Sequence, residues 1–168
     1  MARWLEPHLV EQAHALGVVI IPAGIEADGG VGVAAGWDTA TYRDPDHPLQ
    51  RLVVQTVEEL TGEPVAAVTV DGCGAPALAV SAAGLARAFG RIASADPGTP
   101  EGRVAAAMSA HPEYVGGTGR DVTDLMRGVP GLIAKDGAEA VYAVGLPDGS
   151  GVTVKIVDGS DRARVVLT

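Results

Sequence analysis

Four residue types in this chain could do chemistry, and each stands in a local setting that suggests how. Cys73 is the sole cysteine and sits in Asp71-Gly72-Cys73-Gly74-Ala75-Pro76, directly after the apolar run Val65 to Val70. A thiol at a strand end in a Gly-rich turn has the access and freedom to act as metal ligand or nucleophile. A small buried hydrophobe is the plainer reading. Lys135 ends a second apolar run in Leu132-Ile133-Ala134-Lys135-Asp136-Gly137-Ala138-Glu139. A lysine projecting from a rigid edge into a pocket serves as a general base when partial burial favours its neutral form. A solvated lysine paired with Asp136 or Glu139 is the alternative. Arg120 closes Gly116-Gly117-Thr118-Gly119-Arg120, where turning backbone N–H groups can cradle an anion and the guanidinium can clamp a carboxylate. It can equally pair with Asp121 or Asp124. His47 and His111 each precede a proline and read as helix-end residues. Ser81, Ser94, Ser109, Ser150 and Ser160 have no activating partner at a recognisable spacing.

Bulk properties bound what these residues can serve. A chain of 168 residues with 47% hydrophobic content folds around a core of its own. With 23 glycines and only 4% aromatics, close glycine and alanine contacts must replace bulky anchors. A formal net charge of −9 without a basic stripe argues against nucleic acid and anionic membrane as partners. One cysteine excludes an intrachain disulfide and fits a reducing compartment. Met1 to Gly17 has no secretory pattern, and no apolar run approaches the ~20 residues of a membrane span. A cytoplasmic location is the expectation.

Periodicity supplies the elements. Trp4, Leu5, Leu9, Val10, Ala13 and Leu16 predict a helix over 3–16, and Val18 to Ile21 a short strand. Residues 23–36 are Gly-rich and carry no period. Asp46 or His47 caps a helix from Pro48 to about Leu60, with Leu49, Leu52, Val53, Thr56, Val57 and Leu60 as its buried stripe and Gly62 closing it. After the strand 65–70, an Ala-rich helix is predicted over 77–93. Thr99 caps another to Ala110, and a short helix begins at Asp121 or Thr123. Ala138 to Leu146 and Gly151 to Val157 predict strands joined by Pro147-Asp148-Gly149-Ser150. The fold class is α/β, helices packed on a mostly antiparallel sheet.

Several motifs in order resemble the L-asparaginase II family. They are Gly36-Trp37-Asp38-Thr39-Ala40-Thr41-Tyr42, Asp46-His47-Pro48-Leu49-Gln50, the Cys73 turn, Ala110-His111-Pro112-Glu113, Val115 to Arg120, Ala134 to Glu139 and Lys155-Ile156-Val157-Asp158-Gly159. The resemblance implies a sandwich like that of serine β-lactamases and glutaminases, here in part. The implied reaction is hydrolysis of L-asparagine to L-aspartate and ammonia. A serine adds to the amide carbon while a lysine takes its proton, and the acyl-enzyme is then hydrolysed. Zinc near the pocket, held in some members by two cysteines and a lysine, is a further implication. Carried over by motif, Lys135 is the catalytic lysine that partners one of the serines and Cys73 a zinc ligand with Asp71 behind it, while Arg120 is the candidate substrate-binding residue by its own chemistry, a guanidinium able to clamp a carboxylate.

The resemblance fails at the N-terminal end. Arg-Ser-Ser-x-x-Lys-Pro, Ser-His and Cys-Ser-Gly-Lys-His motifs are expected in the family and do not occur in this sequence. The expected organisation is therefore a non-family segment, 1–32, followed by the C-terminal half of an asparaginase-like domain, 33–168. The chain reads as truncated or fused, with weak activity or none alone. A non-catalytic interaction module, pairing with itself as a homodimer or with a full-length relative, is the alternative. A weak zinc-binding remnant centred on Cys73 is the third reading.

Overall fold

The computed structural model describes residues 18–22, 35–70, 74 and 76–163. The predicted helix over 3–16, the unassigned segment before Ala35, and both Asp71 and Cys73 lie outside them. In chain order the elements are β1 (Val18–Pro22), α1 (Pro48–Thr61), β2 (Ala67–Val70), β3 (Pro76–Ser81) and α2 (Ala82–Ala93). Then come α3 (Pro100–Ala110), α4 (Pro112–Gly116), α5 (Asp121–Gly128), β4 (Ile133–Gly137), β5 (Val141–Gly145) and β6 (Gly151–Lys155). The α/β class expected from the sequence is observed, with two three-stranded sheets, ordered β1-β3-β2 and β4-β5-β6 and antiparallel throughout. No helix among the described residues is long and apolar enough to cross a membrane.

The chain divides into two units, residues 1–59 with 63–81 and residues 60–62 with 82–168. The first corrects a prediction: Pro76–Ser81 is a strand, and helix begins only at Ala82. β3 is flanked on both edges, by β1 and β2, and Ala77 to Val80 are all buried. A strand covered on both faces loses the polar alternation that identifies strands, so the alanines left only their helix propensity to read. Leu78 faces Val68 across the ladder, and Val53, Val54, Val57 and Val65 pack around that pair. Of the predicted α1 stripe, Leu49 is buried but Leu52 is 46% exposed. Thr56 is also exposed, its hydroxyl donating back to the Leu52 carbonyl. The buried row steps by four residues through 49, 53 and 57, and the neighbouring row through 52 and 56 faces water.

Glycine shapes the second unit. β5 is its central strand, buried along its whole length. Tyr142 and Val144 join Ala134, Val122, Met126 and Leu132 in one core beneath α5. The opposite face of β5 and β6 carries α2. There Gly145 and Gly151 are direct cross-strand partners. A Cβ on Gly145 would lie 2.6 Å from the Phe89 carbonyl carbon, and one on Gly151 2.6 Å from that of Ala86. Gly90 meets the Gly149 backbone in the same way. Ala86, Phe89, Gly90 and Ala93 share one helix face at three- and four-residue spacing. Helix backbone therefore rests on sheet backbone, as the shortage of aromatics required.

Caps and turns follow the predicted chemistry. The Thr99 hydroxyl accepts the Gly102 N–H at 3.1 Å. Gly62 closes α1 at φ +68°, and the carbonyls of Leu60 and Thr61 accept from Arg91 and Arg87 at 2.9 and 2.7 Å. In the β5–β6 turn the backbone N–H and then the hydroxyl of Ser150 bond the Asp148 carboxylate, holding it below its ordinary carboxylate value.

Candidate functional site

The motifs singled out in the sequence are structural pairs. The first pair is 36–42 with 46–50. His47, buried at the head of α1, accepts the Leu49 N–H on Nδ1 at 3.1 Å, so the ring proton sits on Nε2 and donates to the Asp38 carbonyl at 2.9 Å. The indole of Trp37 meets the same ring edge-on, with centroids 6.0 Å apart. Buried Gln50 donates to the Tyr42 carbonyl at 2.9 Å. The capping role expected of His47 is observed. His111 likewise stands at a helix junction, between α3 and α4.

A second pair joins 134–139 to 155–159. β4 turns into β5 through Glu139 and Ala140, at φ 58° and 53°, two consecutive non-glycine residues in the left-handed region. That conformation costs about 1–2 kcal/mol per residue. Lys155 holds it: its ammonium donates to the Glu139 carbonyl at 2.5 Å and to that of Ile156 at 2.8 Å. The Ile156 N–H also donates to the Ala140 carbonyl at 3.2 Å. Because Glu139 is exposed, Glu139→Gly should remove strain without losing a packed side chain. We expect a gain of about 0.5–1 kcal/mol, roughly 1–4 °C in melting temperature. An unchanged or lower melting temperature would show the turn to be unstrained.

The third segment brings two of the four sequence-predicted site residues, Arg120 and Lys135, to one carboxylate. Beyond the end of α4 the chain turns through Gly117 and Gly119, at φ +95° and +71°. The hydroxyl of Thr123, fully buried in α5, reaches the Gly117 carbonyl at 2.7 Å and fixes this loop. Arg120 follows as the residue that opens α5, and its side chain does not cap that helix. Its guanidinium bonds Oδ2 of Asp136 at 3.0 Å. The Lys135 ammonium bonds Oδ1 of the same carboxylate at 2.6 Å and the Asp136 carbonyl at 2.7 Å. Side-chain exposure is 52% for Arg120, 48% for Lys135 and 14% for Asp136.

Neighbours named from the sequence are thus half matched. Lys135 takes Asp136, one of the two carboxylates expected of it; Arg120 takes neither Asp121 nor Asp124. Asp136 was visible only as a surface partner for Lys135. Its second role depends on a contact across 16 residues, which local spacing does not signal. Both hydrogen bonds of the Lys135 ammonium go to Asp136, so among the described residues no serine hydroxyl meets it. Ser81 does have a carboxylate that spacing hid: its N–H and hydroxyl donate to Glu63 at 2.7 and 2.9 Å. A carboxylate holding a backbone N–H as well as the hydroxyl serves as a clamp between the α1–β2 connection and the end of β3.

Asp71 and Cys73 lie outside the described residues. Among the residues described, no group of three or more His, Cys, Asp or Glu side chains could hold a metal ion. A family model described as L-asparaginase II matches residues 30–168. No curated protein matches the chain.

Proposed function

Because this chain belongs to the L-asparaginase II family, we propose that it carries the cationic side of an amidohydrolase site for L-asparagine and has little or no turnover by itself. Arg120 anchors the substrate α-carboxylate, for which a guanidinium is the fitting charged partner. Lys135 is the amine that exchanges a proton with the attacking group. The observation that carries this reading is the shared carboxylate of Asp136, which draws residues from two separate family motifs to one place.

What the reading lacks is a nucleophile. The three serine- and lysine-bearing motifs expected of the family are missing from this sequence, and the Lys135 ammonium is engaged by Asp136. Zinc does not alter this. The chain offers a single cysteine thiol, Cys73, which falls short of a four-ligand set.

Ammonia release from L-asparagine by the purified chain tests the proposal, beside a full-length family member under the same conditions. We expect a rate lower by roughly a thousandfold or more, since loss of a nucleophile removes most of a hydrolase's acceleration. Turnover within roughly tenfold of the relative would overturn it.

A further inference from the structure

We propose that Arg43 is a carboxylate-binding residue of the first unit, set against Gly74 beside Cys73 in the sequence. The inference rests on the asparaginase reading, which makes the ligand an amino acid. The motif pairs described above do not include Asp71 to Pro76, and Gly74 gives it a neighbour. A Cβ on Gly74 would stand 2.8 Å from Nη1 of Arg43. The guanidinium therefore lies directly over the Gly74 backbone, which turns there at φ +81°, a conformation that favours glycine. Arg43 follows immediately on the motif 36–42, so its side chain carries that motif to the Gly74 turn.

The backbone on either side of Arg43 is held. Gln50 donates to the Tyr42 carbonyl at 2.9 Å, and the Asp44 N–H closes a turn onto the Thr41 carbonyl at 2.8 Å. The carboxylates nearest in sequence are already engaged. Asp38 accepts from the Ala40 N–H and the Thr41 hydroxyl, Asp44 from the Asp46 N–H, and Asp46 pairs with Arg51. Among the described residues Arg43 is left with no ion pair, and its side chain is open to solvent. A guanidinium with a fixed base and no anion of its own offers a planar fork of donors, the shape that takes a carboxylate edge through two parallel hydrogen bonds.

The test is a titration of the 15N-labelled chain with L-aspartate, followed by nuclear magnetic resonance. The Gly74 amide and the Arg43 Nε–H should shift together and saturate. Arg43→Gln should weaken binding by roughly ten- to hundredfold, as loss of a charged hydrogen-bond donor does. Arg43→Lys keeps the charge without the fork and should fall between. Arg103→Gln removes the same charge from an exposed position on α3 and should leave the affinity within about twofold. The assignment is overturned by a parent chain with no saturable shift at Gly74, by unchanged affinity in Arg43→Gln, or by an equal loss in Arg103→Gln. Inorganic phosphate binding as tightly as L-aspartate would also overturn it, by showing a general anion patch. Shifts at Gly74 are independent of turnover, so an active chain that shows them sinks only the proposed lack of activity.

Discussion

Gly145→Ala should destabilise the second unit by about 3 kcal/mol, the upper end of what overpacking ordinarily costs. Steric overlap here is with main chain. The new Cβ would stand 2.6 Å from the Phe89 carbonyl carbon and 3.0 Å from the Ala93 Cβ. A helix backbone has no rotamer that gives way, so α2 must lift from β5 and β6. In a chain of this size the melting temperature should fall by roughly 6–12 °C, with amide exchange rising along β5. Gly128→Ala is the control: nothing lies within 4 Å of its added Cβ and its φ is unstrained. It should shift stability by less than about 0.5 kcal/mol. Equal tolerance at both positions would refute the backbone-on-backbone packing.

In the first unit the largest effect belongs to Leu78. Its side chain is 1% exposed on the central strand, against Val68 and the valines of α1. Leu78→Ala removes buried methyl groups and leaves a cavity that a strand held on both edges cannot collapse around. The expected cost is about 2–5 kcal/mol, read from the urea midpoint and from amide exchange in β3. Leu52→Ala, on the exposed row of α1, should cost less than about 1 kcal/mol. A similar cost at the two sites would mean that the 52 and 56 row of α1 is covered rather than facing water.

These two positions also mark where reading the sequence succeeded and where it stopped. The α1 helix, the Thr99 cap and the 147–150 turn were legible because each is decided by residues within a few positions of one another. β3 was not, because a strand buried on both faces is distinguished from a helix only by distant partners. Its partners run from residue 18 to residue 70. The width of the α1 stripe failed for a related reason: periodicity gives a phase, while the neighbouring sheet decides how many rows it covers.

The same division holds at the candidate site. Lys135 and Arg120 stand out as candidates by residue type and local setting. That they meet on one carboxylate was not, since the meeting is set by the β4–β5 register and by the loop that Thr123 pins. The strained Glu139–Ala140 turn was hidden as well, because its support comes from Lys155 on the next hairpin strand. Cys73 and Asp71, prominent in the sequence, lie outside the described residues.

At the centre of the account is the proposal that this member of the family supplies an amine, Lys135, and a guanidinium, Arg120, without an attacking hydroxyl. The most direct measurement is the ammonia that the pure chain liberates from saturating L-asparagine over hours, against an authentic full-length relative. The account predicts a signal at least about a thousandfold weaker. A rate comparable to the relative's, abolished by Lys135→Ala, would contradict it by revealing a competent nucleophile within this chain.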